Sequence, residues 1–260
     1  MAMQNTMADI ISHYEGDVGV YIKDLKTSRV YAHNADDAFI SASLIKLPIM
    51  IATFEAIWQG KLNLNTKIKL QRQNRRDGSG RLKWAHTGVT YPVSQLIYMM
   101  MTRSDNTATA MLIDQVGYDY LNQQFKQFGL VATRINPSGM SLANHLTPSE
   151  DNYTTPREMG LLLEKLYKHE LVNDGLSDLM LEIMKGADSK SRLAEHLPAQ
   201  WKFARKTGLL RKNCHDVGIV YTPQGNFIIC VLTGQNRTYH KAKGVIASIG
   251  RTAYNYLGNS

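Results

Sequence analysis

The 260-residue chain predicts an α+β fold of three layers, α-β-α, in which one antiparallel sheet packs against helices. Three observations predict it: strand patterns gather at both ends, helical patterns fill the middle, and a last helical pattern closes the chain. At the start, Val18–Ile22 and Arg29–His33 read as strands joined by the turn-like Asp24–Ser28. At the other end come Phe203–Lys206, Asp216–Tyr221 and Phe227–Thr233, with Thr222-Pro-Gln-Gly-Asn226 as the turn between the last two. Five strands drawn from both termini imply a five-stranded antiparallel sheet, with a helix at about Lys241–Leu257 covering one face. Between them, Ile45–Gln59 is apolar on most sides and suits a buried central helix. Val93–Thr102 and Thr107–Val116 read as helices on either side of Ser104-Asp105-Asn106. Thr155, Pro156 and Glu158 form a helix start, because threonine caps, proline suits the first helical position and glutamate closes a capping box. That helix runs to about His169. The expected division is a sheet lobe of 1–42 plus 200–260 and an all-helical lobe of 43–199.

Composition narrows the function classes. Hydrophobic residues make up 43%, and no apolar run reaches the roughly 18 residues that span a bilayer. The chain therefore reads as a soluble globular protein. Met1–Asp9 lacks the basic-then-apolar layout of a signal peptide. A net charge of +8 favours anionic surroundings such as envelope polymers or carboxylate-bearing substrates. Arg72, Arg75, Arg76, Arg81 and Lys83 read as a solvated loop, with no nucleic-acid reading motif beside them. Cys214 and Cys230 are far apart, fit no metal spacing, and read as free buried thiols. The 8 histidines show no ligand pattern, so neither a metal nor a cofactor is expected.

Three triplets carry the chemistry: Ser43-Leu44-Ile45-Lys46, Ser104-Asp105-Asn106 and Lys206-Thr207-Gly208. Serine is a weak nucleophile and needs an adjacent base. Residues three apart share a helix face, so Lys46 lies one turn from Ser43 and can reach its hydroxyl. Near a helix start, a developing oxyanion would meet free N–H groups and the positive end of the dipole. Ser104 lies in a break between helices, where its hydroxyl can relay a proton. Asp105 or Asn106 can cap the helix that follows. Lys206 inside a strand would ordinarily be an exposed edge residue. Gly208, two positions on, weakens a strand unless something approaches the backbone closely, and a substrate pairing along the edge would do so. Lys206 and Thr207 then offer a charge and a hydroxyl to a substrate carboxylate.

Read as S-x-x-K, S-D-N and K-T-G, with separations of about 60 and 100 residues, the triplets resemble those of class A β-lactamases and penicillin-binding serine acyl enzymes. The resemblance runs from about Asp17 to the last helix. It implies a β-lactamase-like fold, a Ser43 nucleophile, Lys46 as base, Ser104 as relay, and Asn106, Thr207 and Gly208 in substrate binding. It also implies an oxyanion hole made by the backbone N–H groups of Ser43 and Leu209. An Ω-like loop at 133–156 matches in length and at both ends, from Thr133-Arg134-Ile135 to Thr154-Thr155-Pro156. Yet Gly139 stands where class A enzymes have the glutamate that activates the deacylating water, and Ala143 where they have the asparagine that helps hold it. Asn152 and Pro137 replace the loop's aspartate and its arginine partner. The expected enzyme is a serine hydrolase acylated at Ser43 by β-lactams or related amides and esters, with slow deacylation. Glu150, Asp151 and His145 are the substitutes for the missing base within the loop, though Glu150 and Asp151 read more simply as solvated. The rival readings are a DD-peptidase or esterase of the penicillin-binding kind, or a non-catalytic peptidoglycan-binding sensor. The expected partner is a small β-lactam or peptidoglycan-like substrate, met by a monomer in the cell envelope or outside the cell.

Overall fold

A computed structural model describes residues 2–140, 150–187 and 189–258. The chain runs α1 (Ala2–Ser12), β1 (Asp17–Asp24), β2 (Val30–His33), β3 (Phe39–Ile40), a 3-10 helix Ala42–Ile45 and α2 (Lys46–Trp58). Then come β4 (Lys67–Lys69), β5 (Thr90–Pro92), α3 (Val93–Thr102), α4 (Asn106–Val116) and α5 (Tyr118–Gln127). The remainder is β6 (Tyr153–Thr154), α6 (Pro156–Tyr167), α7 (Asp174–Lys185), β7 (Lys202–Leu210), β8 (Asn213–Tyr221), β9 (Phe227–Gly234) and α8 (Tyr239–Leu257). The fold is α+β, as expected. The chain clusters into two compact units: Met1–Leu44, Tyr153–Glu164 and Ser189–Ser260 form the first, and Ile45–Asn152 with Lys165–Asp188 the second.

The first unit holds a five-stranded antiparallel sheet in the order β2-β1-β9-β8-β7, with β7 at one edge. β8 and β9 are buried along nearly their whole length; β9 is accordingly a nearly continuous apolar run, while β8 also buries Asn213, His215 and Asp216. One apolar core joins the sheet to α8 and α1: Val20, Ile229 and Val231 meet Ile246, Ile249 and Tyr254, and Met7 plugs the same cluster. Burying each such side chain is worth about 1.5–3 kcal/mol. Cys214 and Cys230 are free and buried in β8 and β9. The Tyr254 hydroxyl donates to the Leu193 carbonyl and ties α8 to the segment ahead of β7.

The sequence reading gave the sheet lobe terminal helices, and α1 is the one at the start, although no helical pattern was assigned to it. Met7 faces the sheet core, while most other residues of α1 remain exposed or half-buried. The second unit is built on α2, in which ten of thirteen residues are buried, including Lys46. Helix α4 is capped as anticipated: Asp105 accepts from the Ala108 N–H at 2.9 Å. Thr155 Oγ1 likewise accepts from the Glu158 N–H at 3.1 Å at the start of α6.

Candidate active site

Lys46 and the Ser104-Asp105-Asn106 triplet meet inside the second unit. Lys46 opens α2, is 1% exposed, and donates to three oxygens: Ser104 O at 2.7 Å, Ser104 Oγ at 3.1 Å and Asn106 Oδ1 at 2.6 Å. Such charge-assisted bonds offset part of what burying an ammonium costs. The geometry depends on strain at Ser104, whose φ of 53° turns both its carbonyl and its hydroxyl toward the amine. Asp105 fixes that conformation. Besides capping α4 it accepts from the Arg81 and Leu82 N–H groups at 2.8 and 3.0 Å, tying the break between α3 and α4 to a neighbouring loop. The Asn106 amide donates in turn to Asp77 O at 2.7 Å, which orients its oxygen toward Lys46. Ser104 and Asn106 thus present polar atoms, while Asp105 is the scaffold beneath them.

Ser43 lies in the 3-10 helix that runs into α2, one turn before Lys46. Two contacts fix the segment before it, both within the first unit. Ala42 takes a left-handed φ of 46°, and a Cβ added at Gly208 would lie 3.2 Å from Ser41 O and 3.4 Å from Ala42 Cβ. On its Cβ side Gly208 is also met by His215, whose Cδ2 would lie 2.9 Å from an added Cβ, so the segment before Ser43 and β8 both pack close to this glycine. His215, opposite Gly208 in β8, pins the same segment through Nε2 and Ile40 O at 2.8 Å. Its Nδ1 accepts from the Thr233 N–H at 3.2 Å, so the ring is neutral with its proton on Nε2. Full burial, outweighing the bond to Ile40, pulls its pKa down to about 4.

On β7, Lys206 is at the sheet edge but only 2% exposed, a correction to the expectation of an exposed edge lysine. It donates to Thr207 O at 2.9 Å. Desolvation first, then the Arg192 and Arg205 charges, push its pKa down to about 7 against the pull of Asp216. These neighbours form a buried ionic cluster. Arg205 Nη1 meets Asp216 Oδ2 at 2.8 Å, and Asp216 also accepts from the Leu193 N–H at 3.2 Å. Arg205 is held further by the Ser189 and Ser191 carbonyls. Arg192, buried and left-handed with φ 61°, directs Nε to Cys214 Sγ at 3.3 Å. Burial raises the Asp216 carboxyl, against the lowering pull of the two arginines. Thr207 is half-buried and Leu209, with its N–H on the same strand, is 42% exposed.

In the described part of the Ω-like loop, Asn152 packs against the glycine. Gly139 sits in a short 3-10 turn, Ser138–Met140, where an added Cβ would lie 2.6 Å from Asn152 Oδ1 and 2.8 Å from Asn152 N. Asn152 Oδ1 accepts from the Asn136 N–H at 2.7 Å, so that amide is not easily displaced. Asp151 is 2% exposed and accepts from the Asn152 N–H at 3.0 Å; it is a buried structural carboxylate rather than the solvated residue the sequence suggested. Glu150 is exposed. Ala143 and His145 lie outside the described residues.

The comparisons with known proteins agree on one family. The model for the β-lactamase enzyme family matches residues 2–257. The chain belongs to that family. Among curated relatives, β-lactamase VEB-1 of Pseudomonas aeruginosa is 26% identical over 258 residues, covering 93% of this chain and 86% of that protein. Among solved structures, a β-lactamase from Sphaerobacter thermophilus superposes with TM-score 0.91 at 27% identity, covering 99% of this chain and 97% of the other. PBP-A superposes with TM-score 0.93 at 26% identity, covering 100% and 97%. The protein is a serine hydrolase of the β-lactamase type.

The sequence reading missed Arg192, Arg205, His215 and Asp216. For Arg205, His215 and Asp216 a signal was present, since polar and charged residues inside otherwise apolar strands require partners. The pairing of Arg205 with Asp216 is non-local and follows from the register of β7 against β8, while Arg192 lies in a 3-10 turn, Arg192–Ala194, that no strand pattern marks.

Proposed function

We propose that this serine hydrolase is acylated at Ser43 by β-lactams or related amides and esters, and that it releases the acyl group slowly. Lys46 in its neutral form takes the Ser43 hydroxyl proton as the oxygen attacks the carbonyl carbon. The backbone N–H groups of Ser43 and Leu209 hold the tetrahedral oxyanion. Ser104 passes a proton to the departing nitrogen, the C–N bond breaks, and an ester on Ser43 remains. Lys206 and Thr207 hold the substrate carboxylate, with Arg192 adding positive potential behind them and Asn106 a polar contact. The observation that carries this reading is the 3.1 Å bond between Lys46 Nζ and Ser104 Oγ, which joins base and relay in one proton path. Deacylation needs a base to activate water. Gly139 offers none, and general-base assistance is worth about 10²–10⁴-fold. Asp151 is committed to the Asn152 backbone.

The similarity to PBP-A, one solved variant of which is an acyl-enzyme complex with penicillin G, favours a penicillin-binding peptidase acting on peptidoglycan-like substrates in the cell envelope. Both readings share the first half-reaction. Intact-mass measurement after mixing with penicillin G tests it: wild type gains one penicilloyl mass and Ser43→Ala gains none. An adduct that survives on Ser43→Ala removes the proposed nucleophile.

A further inference from the structure

Away from the three motifs, the first unit contains an open cavity of about 770 Å³ where the ends of several strands meet. That volume falls in the range typical of small-molecule sites. Its floor is Gly234, the last residue of β9, paired with Asp17, the first residue of β1. An ideal Cβ at Gly234 would lie 3.4 Å from Asp17 Oδ2 and 3.5 Å from Asn213 Oδ1. Two oxygens therefore converge on a point that the glycine leaves open. Asn213, only 7% exposed, lines the same cavity and brings its side-chain oxygen to this point.

The walls carry both signs of charge. Asp17 and Asp37 stand on one side of the chain's strand ends, Arg211 and Lys212 on the β7–β8 turn. Among the described residues, Asp17, Asp37 and Lys212 make no ion pair, although all three border one space. Phe39 and Tyr153 add apolar surface. Three wall residues, Asn34, Arg211 and Gln235, hold left-handed φ values of 45°, 51° and 51°. Non-glycine residues in that region cost about 1–3 kcal/mol each and gather at functional sites. In this chain others of that kind, Ala42, Ser104 and Arg192, lie at the candidate active site.

We propose that this cavity binds a short peptide with free termini. Its ammonium group sits over Gly234 between Asp17 and Asn213 Oδ1, its carboxylate faces Arg211 and Lys212, and an apolar side chain lies against Phe39 and Tyr153. The proposal does not depend on acylation at Ser43. Isothermal titration of the intact protein with the dipeptide leucyl-leucine tests it, with Asn213→Leu, Asp17→Asn and Ser43→Ala as variants. The expected result is saturable binding, weakened about tenfold or more by Asp17→Asn, by Asn213→Leu and by N-acetylation or C-amidation of the peptide, and unchanged in Ser43→Ala. Asp17 is exposed, so Asp17→Asn keeps the test valid should Asn213→Leu fold poorly. The absence of saturable binding overturns the proposal. So does binding that ignores Asp17→Asn, or that falls with Ser43→Ala, which would locate it elsewhere.

Discussion

The surroundings of Lys46 and those of Gly139 differ in what packs there. Around Lys46, polar groups point at one another: its amine meets two oxygens of Ser104 and one of Asn106. Around Gly139 the space is closed. Asn152 packs over Gly139, and Asp151 is spent on the backbone beside it. Each is tightly packed, the first around a buried amine and the second around an asparagine amide. The difference teaches that position 139 is not a vacancy awaiting a side chain, because Asn152 already occupies the space a Cβ would need.

The comparison is broken or sharpened by a graded set of variants. The largest effect belongs to Lys46→Ala, which removes the proposed base. Acylation by penicillin should slow by about 10²–10⁴-fold, measured as the second-order rate of adduct formation. Acylation at the wild-type rate would take Lys46 out of the mechanism.

Next comes the acid limb of stability, set by His215. Its folded pKa of about 4 lies below the ordinary 6.5. The unfolded chain therefore binds more protons between those values, and stability falls as pH drops from 6.5 to 4. The loss from this one group approaches about 3 kcal/mol. Protonating Nδ1 would set its new N–H against that of Thr233 and loosen the strand leading to Ser43. Denaturant midpoints taken across this window should slope less steeply in His215→Gln than in wild type. Parallel slopes would mean that other groups dominate.

Gly139→Glu is the direct challenge to the loop. If Asn152 fills the space as described, the variant loses about 1–3 kcal/mol through overpacking and gains little turnover. The double variant Gly139→Glu with Asn152→Gly should recover part of that stability. A single variant that melts like wild type and hydrolyses penicillin rapidly would show that the loop accepts a base after all.

The smallest effect is the pH dependence of carboxylate recognition. Lys206, with a pKa of about 7, is mostly charged at pH 6 and mostly neutral at pH 8. Substrate capture should fall up to about tenfold over that interval, a loss of about 1.4 kcal/mol. In Lys206→Arg, always charged, the fall should vanish. The stability linkage runs the other way: the unfolded lysine holds its proton up to about 10.5, so this residue's burden on the fold is full below pH 7 and eases as pH rises toward 10.5.

Much of this was legible in the sequence because the signals are local. Short apolar and β-branched runs bounded by turn residues marked the five sheet strands, and the spacing of Ser43, Lys46, Ser104 and Lys206 marked the candidate site. What escaped depends on distant partners. Two-residue strands such as β3 and β6 exist only because Phe39 meets Thr154. Helix α1 is fixed mainly by the burial of Met7 against the sheet. Asp151 reads as a surface acid until the fold buries it, and the close packing of His215 and Ser41 on Gly208 shows only once the strands are paired. The pairing of Arg205 with Asp216 follows from a register that no local pattern specifies.

The most direct test is the lifetime of the adduct on the unmodified protein. Penicillin G is added in excess, free drug is removed, and intact mass is followed with time. A penicilloyl adduct that persists through many times the acylation half-life, with little hydrolysed drug released, is the predicted result. Immediate return to the unmodified mass, with drug hydrolysed in many-fold excess over protein, would contradict it.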